Sequence, residues 1–251
     1  MNRLYTIACS LFLLTTAVAQ TGQQQTIERA NAAYNEGLYE EAYAAYLGVA
    51  GAGFEAPELY YNLGNTCFKM DDLSRAILWY ERALRLDPGN EDIRYNLKVA
   101  NSKIADKIDP LPILFYYRWW RGVVSLFPTK TWAISSILLF ALLLAAITLY
   151  VIARSLTLRK TGFWGAITAL FFTLLVLLLA HSSYQSLNCR EAIVFDPTVT
   201  VKSSPDEKSV DLFVLHEGAK VEIMDQIGLW YEIRIANGSV GWLPEQVVEN
   251  I

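Results

Sequence analysis

"AILWYERALRLDPGN", Ala76 to Asn90, has the composition of one unit cut from an array of helical repeats. Counting outward from it, with Pro57 as position 1 of a 34-residue frame, Tyr60, Leu63, Gly64, Ala76, Tyr80, Ala83 and Pro88 fall at positions 4, 7, 8, 20, 24, 27 and 32. Helix–helix contact explains the spacing. Gly64 and Ala76 are small where two antiparallel helices approach, and Tyr60 and Tyr80 fill the gaps between successive pairs.

This pattern resembles the tetratricopeptide repeat, with Cys67 standing at position 11, where an aromatic is usual, and Phe68 beside it. A weaker copy over residues 23–56 places Ala30, Ala42 and Tyr46 at positions 8, 20 and 24, while Arg29, Val49 and Phe54 depart from it. Downstream, "EDIRYNLKVANSKIADKI" reads as a polar-faced capping helix with a narrow stripe of Ile93, Leu97 and Ile104. The array therefore spans 20–108. Within it, "GAGFEA" at Gly51 to Ala56 imitates a dinucleotide fingerprint, but a helix rather than a strand precedes it, so it reads as the turn between repeats.

Charge divides the 251 residues into three blocks. Residues 20–109 carry 9 Lys/Arg against 14 Asp/Glu, residues 110–187 carry 6 against none, and residues 188–251 carry 5 against 11. Acidic flanks repel phosphate backbones, which argues against nucleic acid as a partner. At 53% hydrophobic the chain exceeds an ordinary soluble domain, and the excess is local. Residues 1–19 read as a signal peptide, with Arg3, an apolar core from Leu4 to Leu14 and the small-residue site Ala17-Val18-Ala19. Residues 132–153 and 162–183 are apolar enough for transmembrane helices, joined by a basic turn, 154–161, that carries Arg154, Arg159 and Lys160. Before them, residues 109–131 form an aromatic and basic collar in which Tyr116, Tyr117, Trp119 and Trp120 surround Arg118 and Arg121, as suits an interfacial helix.

After the membrane segments, period-two alternation takes over in "KVEIMD", "LWYEIRI" and "GSVGWLP". Residues 191–251 resemble a bacterial SH3 domain through Val201, Pro205, Leu215, Gly218, Gly228, Trp230, Ile233, Gly238 and Gly241-Trp242. The resemblance implies a small all-β SH3-like barrel, in which Trp230, Tyr231 and Trp242 either fill the core or line a ligand groove. Asn237-Gly238-Ser239 reads as a hairpin turn rather than a glycosylation site, and His216 beside Glu217 falls in a turn. The fold class is thus multidomain: all-α tetratricopeptide hairpins, a two-helix transmembrane hairpin and the barrel.

Signals for chemistry are few. No GxSxG or HExxH motif occurs, no CxxC pair or His-rich cluster suggests a metal, and no cofactor motif stands in a suitable context, so the expectation is a non-enzyme without a catalytic, cofactor or metal site. Cys67 and Cys189 are either free thiols or a disulfide pair. Asn31 and Asn65 share position 9, and Asn62 and Asn96 share position 6, both facing the inner groove of stacked repeats. Such amides either hold an extended peptide backbone or bond to neighbouring helices. A carboxylate clamp is not expected, with Ile27 and Asp92 where basic residues would be needed, and a neutral or basic segment suits the acidic array.

The order of parts, signal, short repeat array, aromatic collar, two spans and SH3 domain, resembles the BatE family of aerotolerance-operon proteins over nearly the whole mature chain. That resemblance implies a cell-envelope assembly with von Willebrand-type membrane proteins of the same operon as partners. The expected function is a membrane-anchored adaptor of the bacterial inner membrane with both soluble units outside the cytoplasm. The alternative is an envelope sensor whose SH3 domain binds peptidoglycan.

Overall fold

The computed structural model describes residues 23–112, 114–187 and 189–251, so the signal segment expected at 1–19 lies outside the described residues. Helices α1 (23–35) and α2 (Tyr39–Gly51) form one pair, α3 (Pro57–Lys69) and α4 (Leu73–Leu86) the next, and α5 (Glu91–Asn101) packs on α4. The repeat positions behave alike in both pairs: Ala30, Ala42, Tyr46, Gly64, Ala76 and Tyr80 are all buried. At Gly64 the fit is tight enough that an added Cβ would stand 2.6 Å from the Tyr80 ring. Gly53, at φ +83°, turns α2 into α3 over the stretch that imitated a nucleotide fingerprint. Asp71, at φ +63°, turns α3 into α4, and the Asp72 carboxylate then caps α4 by accepting the Arg75 N–H at 3.0 Å.

The capping helix is shorter than the sequence suggests. It stops at Asn101, where the Lys107 ammonium folds back to donate to the carbonyls of Ser102 and Ile104 at 2.6 and 2.9 Å. From there the chain crosses to the C-terminal unit as an extended strap. Asp106 accepts the backbone N–H of His216 at 2.7 Å and lies 2.7 Å from its Nδ1, and the Leu111 N–H donates to the Ala236 carbonyl.

A short helix, α6 (Phe115–Val124), leads into α7 (Thr129–Ile152) and α8 (Leu156–Leu187), which pack side by side as a hairpin. Both long helices have the length and composition to cross a membrane. The basic turn is confined to residues 153–155, because the Ser155 hydroxyl accepts the Leu158 N–H and starts α8 at once. Arg159 and Lys160 thus sit on helix rather than loop. Gly162 lets the helices close, since a Cβ there would stand 2.7 Å from the Tyr150 backbone nitrogen.

Seven strands follow: β1 (Glu191–Val194), β2 (Thr198–Lys202), β3 (Asp211–His216), β4 (Lys220–Ile227), β5 (Trp230–Arg234), β6 (Val240–Pro244) and β7 (Val248–Asn250). They form one antiparallel sheet in the order β3-β2-β6-β5-β4-β1-β7. Register shifts at Val201/Lys202 and Ile223/Asp225 mark the bulges that bend it. Val194, Val201, Leu215, Val221, Ile233 and Leu243 fill its inner face. Gly238, at φ +90°, and Asn237, whose side chain accepts the Ser239 N–H, make the β5–β6 turn.

The sheet is not the closed barrel expected from the sequence. No ladder joins β3 to β7 among the described residues, and the β7 end is occupied by α4 instead. Arg82 donates to the Asn250 carbonyl at 2.6 Å and pairs with Glu249, while Arg85 donates to the carbonyls of Ile251 and Cys189. Beside them Lys220 Nζ lies between Glu81 and Glu191, at 2.9 and 3.0 Å. Burial works against that charge, but the two carboxylates more than offset it and hold the Lys220 pKa above its ordinary value. Ile193 joins the core of the helical unit, and Gly218 lets Ile104 lie against the β3–β4 turn. The helical unit and the sheet thus meet beside the end of the α7–α8 hairpin that carries Thr129 and Ser183.

Replacing Gly64 with Ala is expected to lower stability by about 1–3 kcal/mol through overpacking against Tyr80, outweighing the ~1 kcal/mol that Ala gains over Gly in a helix. Gly48→Ala in α2, where nothing lies within 4 Å, should be neutral or stabilising. Denaturation of the full chain in detergent measures both. Equal effects would show that the close approach at Gly64 is not a constraint.

Candidate functional site

The repeat groove holds a cavity of about 360 Å³ lined by Tyr34, Tyr61, Asn65, Phe68, Lys69, Tyr80, Asn96 and Val99. Its polar floor contains the Tyr80–Asn65 bond, which has a counterpart outside the cavity in the first repeat. Tyr46 Oη donates to Asn31 Oδ1 at 2.5 Å and Tyr80 Oη donates to Asn65 Oδ1 at 2.7 Å, each a position-24 tyrosine reaching the position-9 asparagine fifteen residues earlier. Burial pushes both phenols above their ordinary range, Tyr46 to about 12, so each stays a donor at neutral pH.

Asn96, on α5, extends this floor by donating from Nδ2 to Asn65 Oδ1 and to Tyr61 Oη, both at 2.9 Å. Among the described residues no bond engages the Asn65 Nδ2 or the Asn96 Oδ1, which leaves one donor and one acceptor at the cavity. The four asparagines are thus not equivalent. Asn65 and Asn96 meet in the cavity, Asn31 lies one repeat away on exposed surface, and Asn62 is absent from the lining even though it shares position 6 with Asn96.

Among the eight lining residues Lys69 is the charged one, and Lys103 stands 5.3 Å from the centre of the Phe68 ring. The acidic residues of the array lie elsewhere, so net charge of the unit does not describe the groove. Spacing located Asn65 and Asn96. It missed the tyrosine bonds, although the fifteen-residue recurrence was there to be read.

Residues 57–90 match the family model of the tetratricopeptide repeat. Comparison with curated proteins gives no match. The repeat so identified is α3 and α4 with their flanking turns, and it supplies Tyr61, Asn65, Phe68, Lys69 and Tyr80 to the cavity.

The sheet aromatics separate by face. Tyr231 is buried and donates from Oη to Glu245 Oε1 at 2.9 Å. Trp230 and Trp242 lie half-buried on the opposite face, with Trp242 between Glu232 and Lys202 across the ladders, so neither is a core residue. His216 ends β3 and holds Asp106, where a turn was expected.

Cys67 and Cys189 are both free. Burial, followed by the nearby Asp72 charge, pushes the Cys67 thiol up from 9.0 to about 12. A thiol kept protonated is a poor nucleophile. Because the folded value lies above the unfolded one, stability contributed by the neutral thiol is full below about pH 9 and is lost as pH rises towards 12. Thermal unfolding of the full chain should therefore stay level to about pH 9 and then fall, with a later onset in Cys67→Ala. In native protein an alkylating reagent at pH 8 should modify exposed Cys189 and spare Cys67, as read by mass spectrometry; equal labelling would contradict the burial.

Proposed function

We propose that the chain is a membrane-anchored, non-enzymatic adaptor of a bacterial cell-envelope complex. It binds an extended segment of a protein partner in the repeat groove, and the BatE-like order of its parts favours von Willebrand-type membrane proteins as those partners. One observation carries the reading. The sheet and its strap occupy the side of the array formed by α4, while the cavity floored by Asn65 and Asn96 stays open with an unused donor and acceptor. An amide donor beside an amide acceptor fits the alternating N–H and C=O of an extended backbone. Lys69 adds a preference for neutral or acidic segments over basic ones, which departs from the choice suggested by net charge.

The second reading, a sensor that binds peptidoglycan through an SH3-like surface, is favoured by the outward placement of Trp230 and Trp242. Exposed Lys69 has no bonded partner among the described residues, so Lys69→Glu tests the groove without touching the core. Envelope partners that co-purify with the full chain should fall several-fold with the variant while thermal stability is unchanged. Retained partners, together with saturable sedimentation on sacculi that Trp242→Ala abolishes, would replace the adaptor with the sensor.

Orientation follows the same reading. Two crossings return the chain to its starting side, and the contacts between Arg82, Arg85 and the sheet support that reading. The cations at Arg154, Arg159 and Lys160 favour a cytoplasmic turn and put both soluble units in the periplasm. A reporter active only in the cytoplasm should be silent when fused after Ile251 and active when inserted in the turn. The reverse pattern would invert the topology.

A further inference from the structure

Between the soluble units and the hairpin, α6 presents an unpaired surface. None of its residues is buried; Phe115 is 82% exposed and Trp119 68%. The helix is nevertheless fixed in place. Trp120 Nε1 donates to Ser182 Oγ near the end of α8, Trp132 Nε1 donates to the Val124 carbonyl, and Thr129 bonds Ser183 across the hairpin. Above it, a Cβ added at Gly89 would stand 3.2 Å from the Leu126 carbonyl, so the helical unit rests on the α6–α7 junction.

The charges on this surface have nothing to answer them. Arg118, Arg121 and Lys130 are exposed and their side chains make no hydrogen bond or ion pair among the described residues, and residues 110–187 contain no Asp or Glu. Arg118 and Arg121 are three apart and so adjacent on one helix face. Arg118 also stands roughly 200° round the axis from Trp120, on the side away from α8.

Resting on the membrane reading above, we infer that α6 and the residues up to Lys130 bind anionic phospholipid headgroups. Arg118 and Arg121 take the phosphates, and Phe115, Trp119 and Phe127 enter the acyl boundary. Guanidinium groups bind phosphate oxygens with two parallel N–H bonds, and aromatic rings beside cations favour the headgroup layer over water or hydrocarbon. Charge complementarity selects this occupant. A zwitterionic surface would leave three cations uncompensated, and an apolar protein face would bury them.

Amide hydrogen exchange of the full chain in lipid nanodiscs reads the site locally. Discs of phosphatidylcholine with phosphatidylglycerol should slow exchange over residues 115–124 by about fivefold or more relative to phosphatidylcholine alone, on the scale of one cation at an anionic surface. R118Q/R121Q should lose that difference, and R154Q/R159Q, at the other end of the hairpin, should keep it. Equal exchange in the two lipids, or a difference that survives R118Q/R121Q, overturns the lipid site and leaves the anchor standing. The same protection from inorganic phosphate added to phosphatidylcholine discs overturns the lipid as its source. Failure of the chain to enter either disc overturns the membrane reading together with the site.

Discussion

Lys220 between Glu81 and Glu191, flanked by Arg82 and Arg85 on the carbonyls of Asn250 and Ile251, is the constraint on which the rest of the architecture depends. Each ion pair alone is partly exposed and would contribute little. Here several charges share partners around an apolar contact from Ile77, Ile104 and Ile193, so the seam, with the strap contacts at Asp106 and Leu111, orients the two units. It also ends the sheet. The Asn250 carbonyl, which would accept from a further strand, accepts from Arg82 instead.

The seam determines which faces remain for binding. With α4 turned to the sheet and the strap from Ser102 to Leu111 laid across it, the array keeps its inner groove free. The tyrosine–asparagine bonds then serve two ends. They join the helices of each repeat and fix the amide planes, so the unused edges of Asn65 and Asn96 are presented without rotamer freedom.

What the sequence disclosed follows from the range of each interaction. Gly64, Ala76 and Tyr80 were legible because helix packing repeats locally, and both long apolar helices because length and composition suffice. β4, β5 and β6 were legible from alternation and their turns. The seam was not, because Arg82 and Glu249 are 167 residues apart and surface charges carry no mark of their partners. The same holds for Asp106, whose place at the end of a polar helix pattern gave no hint of its bond to His216. In the groove, spacing grouped Asn62 with Asn96, yet only Asn96 lines the cavity. A shared repeat position loses its meaning where the array ends and α5 has no following pair to pack against.

The chain order of the seam carries a consequence for biogenesis. Glu81, Arg82 and Arg85 are synthesised before either long helix, and Glu191, Lys220 and β7 after both. On the membrane reading proposed above, the helical unit waits, with its arginines unmatched, until the hairpin has entered the bilayer and returned. A nascent chain that inserted one helix and left the other behind would strand the two halves of the seam in different compartments. On that reading closure of the seam registers that insertion is complete, and a chain that fails there carries exposed charges and an uncovered sheet edge of the kind that proteolytic quality control removes.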